Sequence, residues 1–420
     1  MSVGPGRLAT AAAPWREDAR IVAVVSFAHL VSHFFQLILA PLFPWIRAEF
    51  ALSNVELGLL MSVVFTVSGG GQALAGFVVD RYGPLRTLNG GLACLTAAAV
   101  TFAAADSYAM LLVGAVLAGL GNAVFHPVDF WLINHRVSVP RLGPAFSAHG
   151  LSGSLGWALA PPFLVGLAML YGWRSAVAAA ALLPLLTIAL VMHQRPRLAA
   201  PFVAPRSAGG GLPAPSLLGF LAVPAIWWCF AFFVCVAAAL GGVQSFAPTV
   251  LTTAYDLGRA SAALSITGYM LGSALGMLLG GWLVARSRRL EANIAVGLAC
   301  AVAAALVIGA RLVPGTYALA LMVVMGLGTG LSGPSRDMLI RHAAPPGATG
   351  RVYGVVYSGL DVGIALGPLL FGRMLDHGLA AEVFYAVAGC LVLGMLTAWR
   401  VAAASQASGA AAGSLTQRVE

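Results

Sequence analysis

GLGNAVFHPVDFWLINHR, residues 119–136, and GLGTGLSGPSRDMLIRH, residues 326–342, are two copies of one segment set 207 residues apart. Gly-x-Gly matches Gly-x-Gly, Pro127 matches Pro334 and His135 matches His342. The same register continues without a gap to Gly156 opposite Gly363 and Pro161 opposite Pro368. Nearly the same shift sets Gln36 opposite Gln244 and Gly76 opposite Gly281. The chain is therefore a tandem of two related halves.

Working outward from these copies, each half divides into six apolar runs separated by charge, Gly or Pro. The first six lie near 21–46, 57–79, 87–105, 109–134, 144–171 and 174–193. The second six lie near 220–251, 261–284, 292–310, 316–340, 351–375 and 379–399. The expected fold is an all-α integral membrane protein of 12 transmembrane helices in two pseudo-symmetric six-helix bundles. Its organisation would be an N-terminal segment 1–20, a bundle 21–193, a Pro- and Gly-rich linker 194–219, a bundle 220–400 and a disordered tail 401–420. The first apolar run is too long for a signal peptide and is read as an uncleaved span.

Composition excludes the alternatives. Of 420 residues, 60% are hydrophobic and 9% charged, and mean hydropathy is +0.91. Soluble domains carry roughly 25% charged residues, so this surface must face lipid. A soluble enzyme, a secreted disulfide scaffold and a disordered chain are ruled out. The five cysteines all sit in apolar runs as small packing groups. The net charge of +9 comes from 23 arginines and no lysine, concentrated in short polar breaks, so no nucleic-acid surface is read. With the N-terminus cytoplasmic, 17 arginines fall in inside segments and five on the outside, with Arg336 inside a span. That bias orients both termini to the cytoplasm. The lysine-free, Ala-rich composition points to a bacterial plasma (inner) membrane.

GFVVDRYGPLR, Gly76 to Arg86, joins the second and third spans. It resembles the Gly-x-x-x-Asp-Arg-x-Gly-x-[Arg/Lys] signature of the major facilitator superfamily. The counterpart Gly281 to Arg286 keeps the Gly and a basic residue without the Asp. His29-x-x-x-His33-x-x-Gln36, Val124-Phe125-His126-Pro127 and Asp376-His377 resemble the fosmidomycin-resistance branch. The chain departs from that branch at His33 and Val128, where acidic residues are usual. The antiporter-type Gly-Pro of the fifth span is Ala160-Pro161-Pro162 here, and Gly363-x-x-x-Gly367-Pro368 stands in the eleventh. The resemblance implies alternating-access transport of a small molecule. It makes Gly76, Asp80, Arg81, Gly83 and Arg86 gate-loop residues at the cytoplasmic contact between halves.

An ionisable group at mid-span costs roughly 2.5–3.5 kcal/mol on insertion scales, so each asks for a reason. His29, His33 and Gln36 share one helix face. They read as a cavity stripe that binds substrate or carries a proton, or as neutral histidines bonded to a neighbouring helix. A metal or haem pair is the sharper alternative, set aside because no second His pair supports it; no metal and no cofactor are expected. His126, Gln244 and Arg336 join the substrate and coupling candidates. Asp361, between Gly359 and Gly363, suits reversible protonation, or it partners Arg336 or His126. Asp129 and Arg336 occupy equivalent places in the two halves. They belong to the inner gate and interact, directly or through neighbours, when the cavity faces outward, or they complete separate networks of Asp129 with Arg81 or Arg86 and Arg336 with Asp337. Trp157 and Tyr357 are among the aromatics that could stack a ligand.

The leading function is a secondary transporter of a small organic solute. No phosphate-binding loop is possible without lysine, so ATP is not read as the energy source, and Asp361 with the histidines makes a proton the economical coupling ion. Drug or metabolite efflux and symport uptake of an organic anion are both open. A non-transporting sensor and a membrane-embedded enzyme are the competing classes, and a monomer is expected.

Overall fold

The computed structural model describes residues 15–199, 222–284, 286, 289–343 and 349–416, and no strand occurs among them. The first half contains α1 (Trp15–Gln36), α2 (Phe43–Phe50), α3 (Asn54–Tyr82), α4 (Pro84–Ala103) and α5 (Tyr108–Asn122). It continues through α6 (Phe125–Arg136), α7 (Leu142–Tyr171), α8 (Trp173–Ala180), α9 (Leu182–His193) and the short α10 (Arg195–Leu198). The second half contains α11 (Pro224–Tyr255), α12 (Arg259–Val284), α13 (Leu290–Gly309), α14 (Gly315–Ala343), α15 (Thr349–Asp376) and α16 (Glu382–Thr416). Among the described residues, 11 spans are long and apolar enough to cross a membrane. The remaining expected span is α4, of 20 residues, whose first turns carry Arg86 and Asn89.

Several expected spans are broken, each next to a proline. The first run passes through α1, a turn and a 3-10 segment at Ala40–Leu42 before α2, with Pro41 and Pro44 in the first turns of the last two. The fourth run breaks at Ala123–Val124, between α5 and α6. Pro127 lacks an N–H and its ring crowds the carbonyl four residues back, that of Ala123. The sixth run likewise breaks at Ala181, three residues before Pro184. The repeat copy Pro334 sits inside an unbroken α14, so the two halves differ where the fourth and tenth spans reach mid-depth.

The termini also differ from expectation. α1 starts at Trp15, inside the segment assigned to the cytoplasm, and its Asp18 is buried. The Asp18 carboxylate accepts from Arg141 Nε at 2.6 Å and from the Ser138 backbone N–H and hydroxyl, which clasps the start of α1 to the α6–α7 turn. The tail expected to be disordered is helical to Thr416, because its alanines carry the highest helix propensity. Of the linker, residues 200–219 lie outside the described residues.

The tandem repeat reappears in the packing. α1 packs on α7 as α11 packs on α15, α3 on α5 as α12 on α14, and α4 on α5 as α13 on α14. Between halves, α3 packs on α15 and α12 on α7, the exchange expected of a pseudo-two-fold axis. Lipid gives helices no hydrophobic reason to associate, so they gain by close van der Waals approach at small residues. Gly272, Gly276 and Gly280 of α12 face the carbonyls of Val323, Leu327 and Leu331, while Gly326 and Gly330 of α14 face those of Tyr269 and Ser273. Gly359, Gly363 and Gly367 of α15 meet the Phe230, Val234 and Ala238 carbonyls of α11. Exposed Leu74, Phe77, Leu170 and Trp282 cover the outside.

Replacing Gly276 by Val would push a side chain into the Leu327 carbonyl, whereas a Cβ on Gly281 would meet nothing within 4 Å. Overpacking of this kind costs about 1–3 kcal/mol. Thermal unfolding in detergent should therefore show a lower midpoint for Gly276→Val and an unchanged one for Gly281→Val. Equal losses would refute the packing account.

Candidate functional site

A cavity of about 520 Å³ lies between the halves. Its wall is His33 and Gln36 of α1, Phe65, Ser68 and Gln72 of α3, Asn122 of α5, His126 and Phe130 of α6, and Trp157 of α7. Tyr357, Leu360, Asp361 and Ile364 of α15 complete it. The first half thus contributes nearly all of the polar groups, and the second contributes the acid.

Two glycines set the histidines in place. Gly156 of α7 lies against the Leu30 carbonyl of α1, and a Cβ there would stand 3.0 Å from His33 Cβ. A Cβ on Gly153 would stand 2.8 Å from the His33 ring and 3.1 Å from His29 Nε2. His149, one turn before Gly153, is thereby carried onto the same α1 face. The His29 and His149 rings stack at 3.7 Å, and the His29 ring lies 4.3 Å from His33 and 5.1 Å from His126. The α5–α6 break delivers His126 to this group, and its Nδ1 donates to Gln72 Oε1 at 2.8 Å.

At the bottom of the cluster Asp129 is fully buried. Its Oδ2 accepts from His149 Nε2 at 3.0 Å and lies 3.2 Å from His29 Nδ1. Polar bonds hold the rest of the wall. Ser32 donates to Asn122 Oδ1, Asn122 Nδ2 donates to Ser68 Oγ at 2.8 Å, and Trp157 Nε1 donates to Gln36 Oε1 at 2.8 Å.

The expected His29, His33, Gln36, His126 and Asp361 are brought together at or beside the cavity. Asp361 packs against α3, where a Cβ on Gly69 would stand 2.8 Å from its side chain. Other expectations need correction. In this structure α6 turns Asp129 into its own half toward the imidazoles of His29 and His149 rather than toward Arg81 or Arg86; its expected meeting with Arg336 belongs to the outward-facing state. Arg336 makes the expected contact with Asp337, its Nε donating to Oδ1 at 2.9 Å, and its guanidinium lies 4.6 Å over the Phe233 ring, away from the cavity wall. The link from this pair to the cavity is Tyr357, whose hydroxyl donates to Asp337 Oδ1 at 3.2 Å. Gln244 is fully buried, with neither amide atom hydrogen-bonded, and it is not among the cavity's lining residues. The expected His126 joins His29 and His33 from α6, and His149 joins them from α7. His149, Ser68, Gln72 and Asn122 were missed. For His149 the signal was its i, i+4, i+7 spacing with Gly153 and Gly156, one helix face.

In the gate loop, Gly83 takes a φ of +82°, which the turn into α4 requires and glycine adopts freely. Arg81 lies 5.4 Å over the Tyr82 ring and Arg86 is exposed. A Cβ on Gly76 would meet nothing within 4 Å, so α15 does not press on it. The Asp80 side chain lies outside the described residues.

The opposite end of the cavity is shut. Asp376, the last residue of α15, sits on the N-terminus of α3. Its carboxylate accepts from Asn54 N at 2.7 Å, Asn54 Nδ2 at 2.8 Å and Val55 N at 2.9 Å. The two backbone groups are orphan donors at the positive end of a helix. Ser62 donates to the Ala365 carbonyl, Thr267 Oγ1 donates to the Ala158 carbonyl at 2.8 Å, and Arg259 lies 5.1 Å over Trp45. The halves therefore touch along α3 from Asn54 to Gly69, and the cavity opens within the last turns of this contact, from Phe65 onward.

The sequence matches the Major Facilitator Superfamily over residues 25–368, and again over 246–416; the chain belongs to that family. It is 29% identical to the fosmidomycin resistance protein of Escherichia coli over 164 residues, 38% of this chain and 40% of the relative. With a probable L-galactonate transporter of the same organism it shares 26% over 129 residues, 31% of this chain and 28% of the relative. With a probable sulfoacetate transporter of Cupriavidus necator it shares 25% over 156 residues, 37% and 36% of the two chains. The matched stretches thus span 40% or less of these relatives' lengths. Among solved structures, the peptide transporter POT in complex with sulfate superposes with a TM-score of 0.76 at 15% identity, covering 93% of this chain and 95% of that one. A D-xylose-proton symporter superposes with a TM-score of 0.73 at 16% identity, covering 91% and 97%. These two likenesses concern the fold alone.

If the Asp376 carboxylate holds the shut end together, Asp376→Ala should loosen it by about 2 kcal/mol or more, the worth of charged hydrogen bonds. Spin labels at Asp106 and Leu312, in loops of opposite halves at that end, should report a longer distance in the variant. An unchanged distance distribution would reject the role.

Proposed function

We propose that this protein is a secondary transporter that carries a small organic anion together with a proton by alternating access. The observation behind this reading is the cavity between the halves, where a single carboxylate, Asp361, faces a wall of imidazole, amide and hydroxyl groups. An anion entering this space meets donors from His33, Gln72 and Asn122 and repulsion from ionised Asp361. A proton on Asp361 removes that repulsion. Anion and proton then bind cooperatively, and because coupling free energy is reciprocal, each draws in the other. That is the thermodynamic basis of symport. The names of two relatives, an L-galactonate and a sulfoacetate transporter, agree with an anionic solute.

In the orientation read from the arginines, the shut end faces outward and the gate loop faces the cytoplasm of a bacterial inner membrane. The structure then corresponds to an inward-facing state. Rocking of the halves would break the Asp376 seal and bring α15 toward Gly76 and Asp80. The name of the fosmidomycin relative supports a second reading, efflux. A neutral or cationic drug would compete with the proton at Asp361 and give antiport.

Purified protein in liposomes, with a pH dye inside, separates the two. L-galactonate or sulfoacetate added outside should drive protons in, and Asp361→Asn should lose that proton movement while keeping solute exchange. Proton movement in the opposite direction would favour efflux. Solute-evoked proton flux undiminished in Asp361→Asn would sink the coupling role.

A further inference from the structure

The buried group beneath the cavity has more donor atoms than hydrogen bonds to use them. We infer that His29, Asp129 and His149 form a binding site for a divalent first-row transition-metal ion of borderline softness, such as Zn²⁺ or Co²⁺. This inference stands apart from the transport reading.

The ligand atoms of these three residues all lie within 4.8 Å of one another, and all three residues are buried. A neutral imidazole has one donor and one acceptor nitrogen. His149 Nε2 is aligned on Asp129 Oδ2 at 3.0 Å, but His29 Nδ1, 3.2 Å from the same oxygen, is not in hydrogen-bonding geometry. Asp129 Oδ1 is buried with no partner either. Nδ1 and Oδ2 therefore converge without pointing at each other, the relation of two ligands around a common centre. Ligands held 2.0–2.1 Å from a tetrahedral ion stand about 3.3 Å apart. The separations of 3.0 and 3.2 Å lie close to this, and since the His29 and His149 rings stack at 3.7 Å, loading would turn the two rings apart to aim both nitrogens at the ion.

The chemistry of the set narrows the ion. Two imidazoles with one carboxylate suit zinc, cobalt, nickel or ferrous iron, and the absence of thiolate disfavours softer ions. A second group, His29, His33 and His126, also meets within 4.8 Å. It has no carboxylate to offset the ion's charge, and an unbalanced charge in this buried setting is costly, so the Asp129 group is the site. Its ligands come from α1, α6 and α7, all in one half. Rocking of the halves would leave it intact, which fits a resident ion better than a cargo. Loading would require the neutral His149 ring to carry its proton on Nδ1 instead of Nε2, freeing the Nε2 lone pair for the ion.

The test uses full-length protein freed of any histidine tag and stripped with a chelator. Equilibrium dialysis against Zn²⁺ and Co²⁺ should find one ion per chain, and bound Co²⁺ should show visible ligand-field absorption. Asp129→Asn and His149→Gln should each weaken binding by about tenfold or more, while His126→Gln stays near the parent. Thermal unfolding gives an independent readout, since an ion that binds only the folded chain raises the midpoint. That rise should be present in the parent and lost in His149→Gln, which serves if Asp129→Asn fails to fold. No stoichiometric ion in the parent would overturn the site. So would binding that survives both substitutions, or that is lost only in His126→Gln.

Discussion

Backbone-to-backbone approach at glycine is the interaction on which this structure rests. Inside a bilayer the hydrocarbon competes equally for apolar side chains, so helices gain by packing closely rather than by burying oil from water. Here the gain comes from glycines spaced four apart that let one helix touch the carbonyls of the next, along α12–α14 and α11–α15. The same device at Gly153 and Gly156 has a second effect. By pressing α7 onto α1 it brings His149 against His29 and leaves His33 at the cavity wall.

The two halves are copies in topology but not in chemistry. Helix pairings repeat through the pseudo-two-fold axis, yet the break beside Pro127 has no counterpart at Pro334. That break lets α6 turn His126 toward the cavity and Asp129 toward the imidazoles. In the other half α14 runs on unbroken, and Arg336 stays within its own bundle on Asp337 and Phe233. The first half has become a polar wall and the second supplies Asp361 from across the gap. A site divided in this way changes its geometry when the halves move, which alternating access requires.

Charge is handled differently at the two ends and at the centre. At the shut end, Asp376 meets orphan N–H groups at the start of α3, and within the first half Asp18 meets Arg141 and Ser138. Both carboxylates find their partners at helix ends, where the helices leave donors unused. At the centre Asp129 has only imidazoles, one aligned and one not. A fully buried carboxylate with a bare oxygen is costly, and a protein that retains one has a use for it.

Reading the sequence was enough for the helical class, the two halves and several cavity residues. Apolar runs have one solution in lipid, where every backbone N–H and C=O must be bonded within the segment. A gap-free repeat carries its symmetry in one dimension, and the i, i+4, i+7 spacing of His29, His33 and Gln36 puts them on one helix face without any tertiary information. What no single helix could reveal was which faces meet. The surroundings of Asp129 in this structure turned on a break in its own helix, which no repeat position could reveal. His149 became part of the cluster only because two glycines beyond it let another helix come within contact distance. Periodicity assigns a residue to a face, and only the packed bundle decides what stands opposite that face.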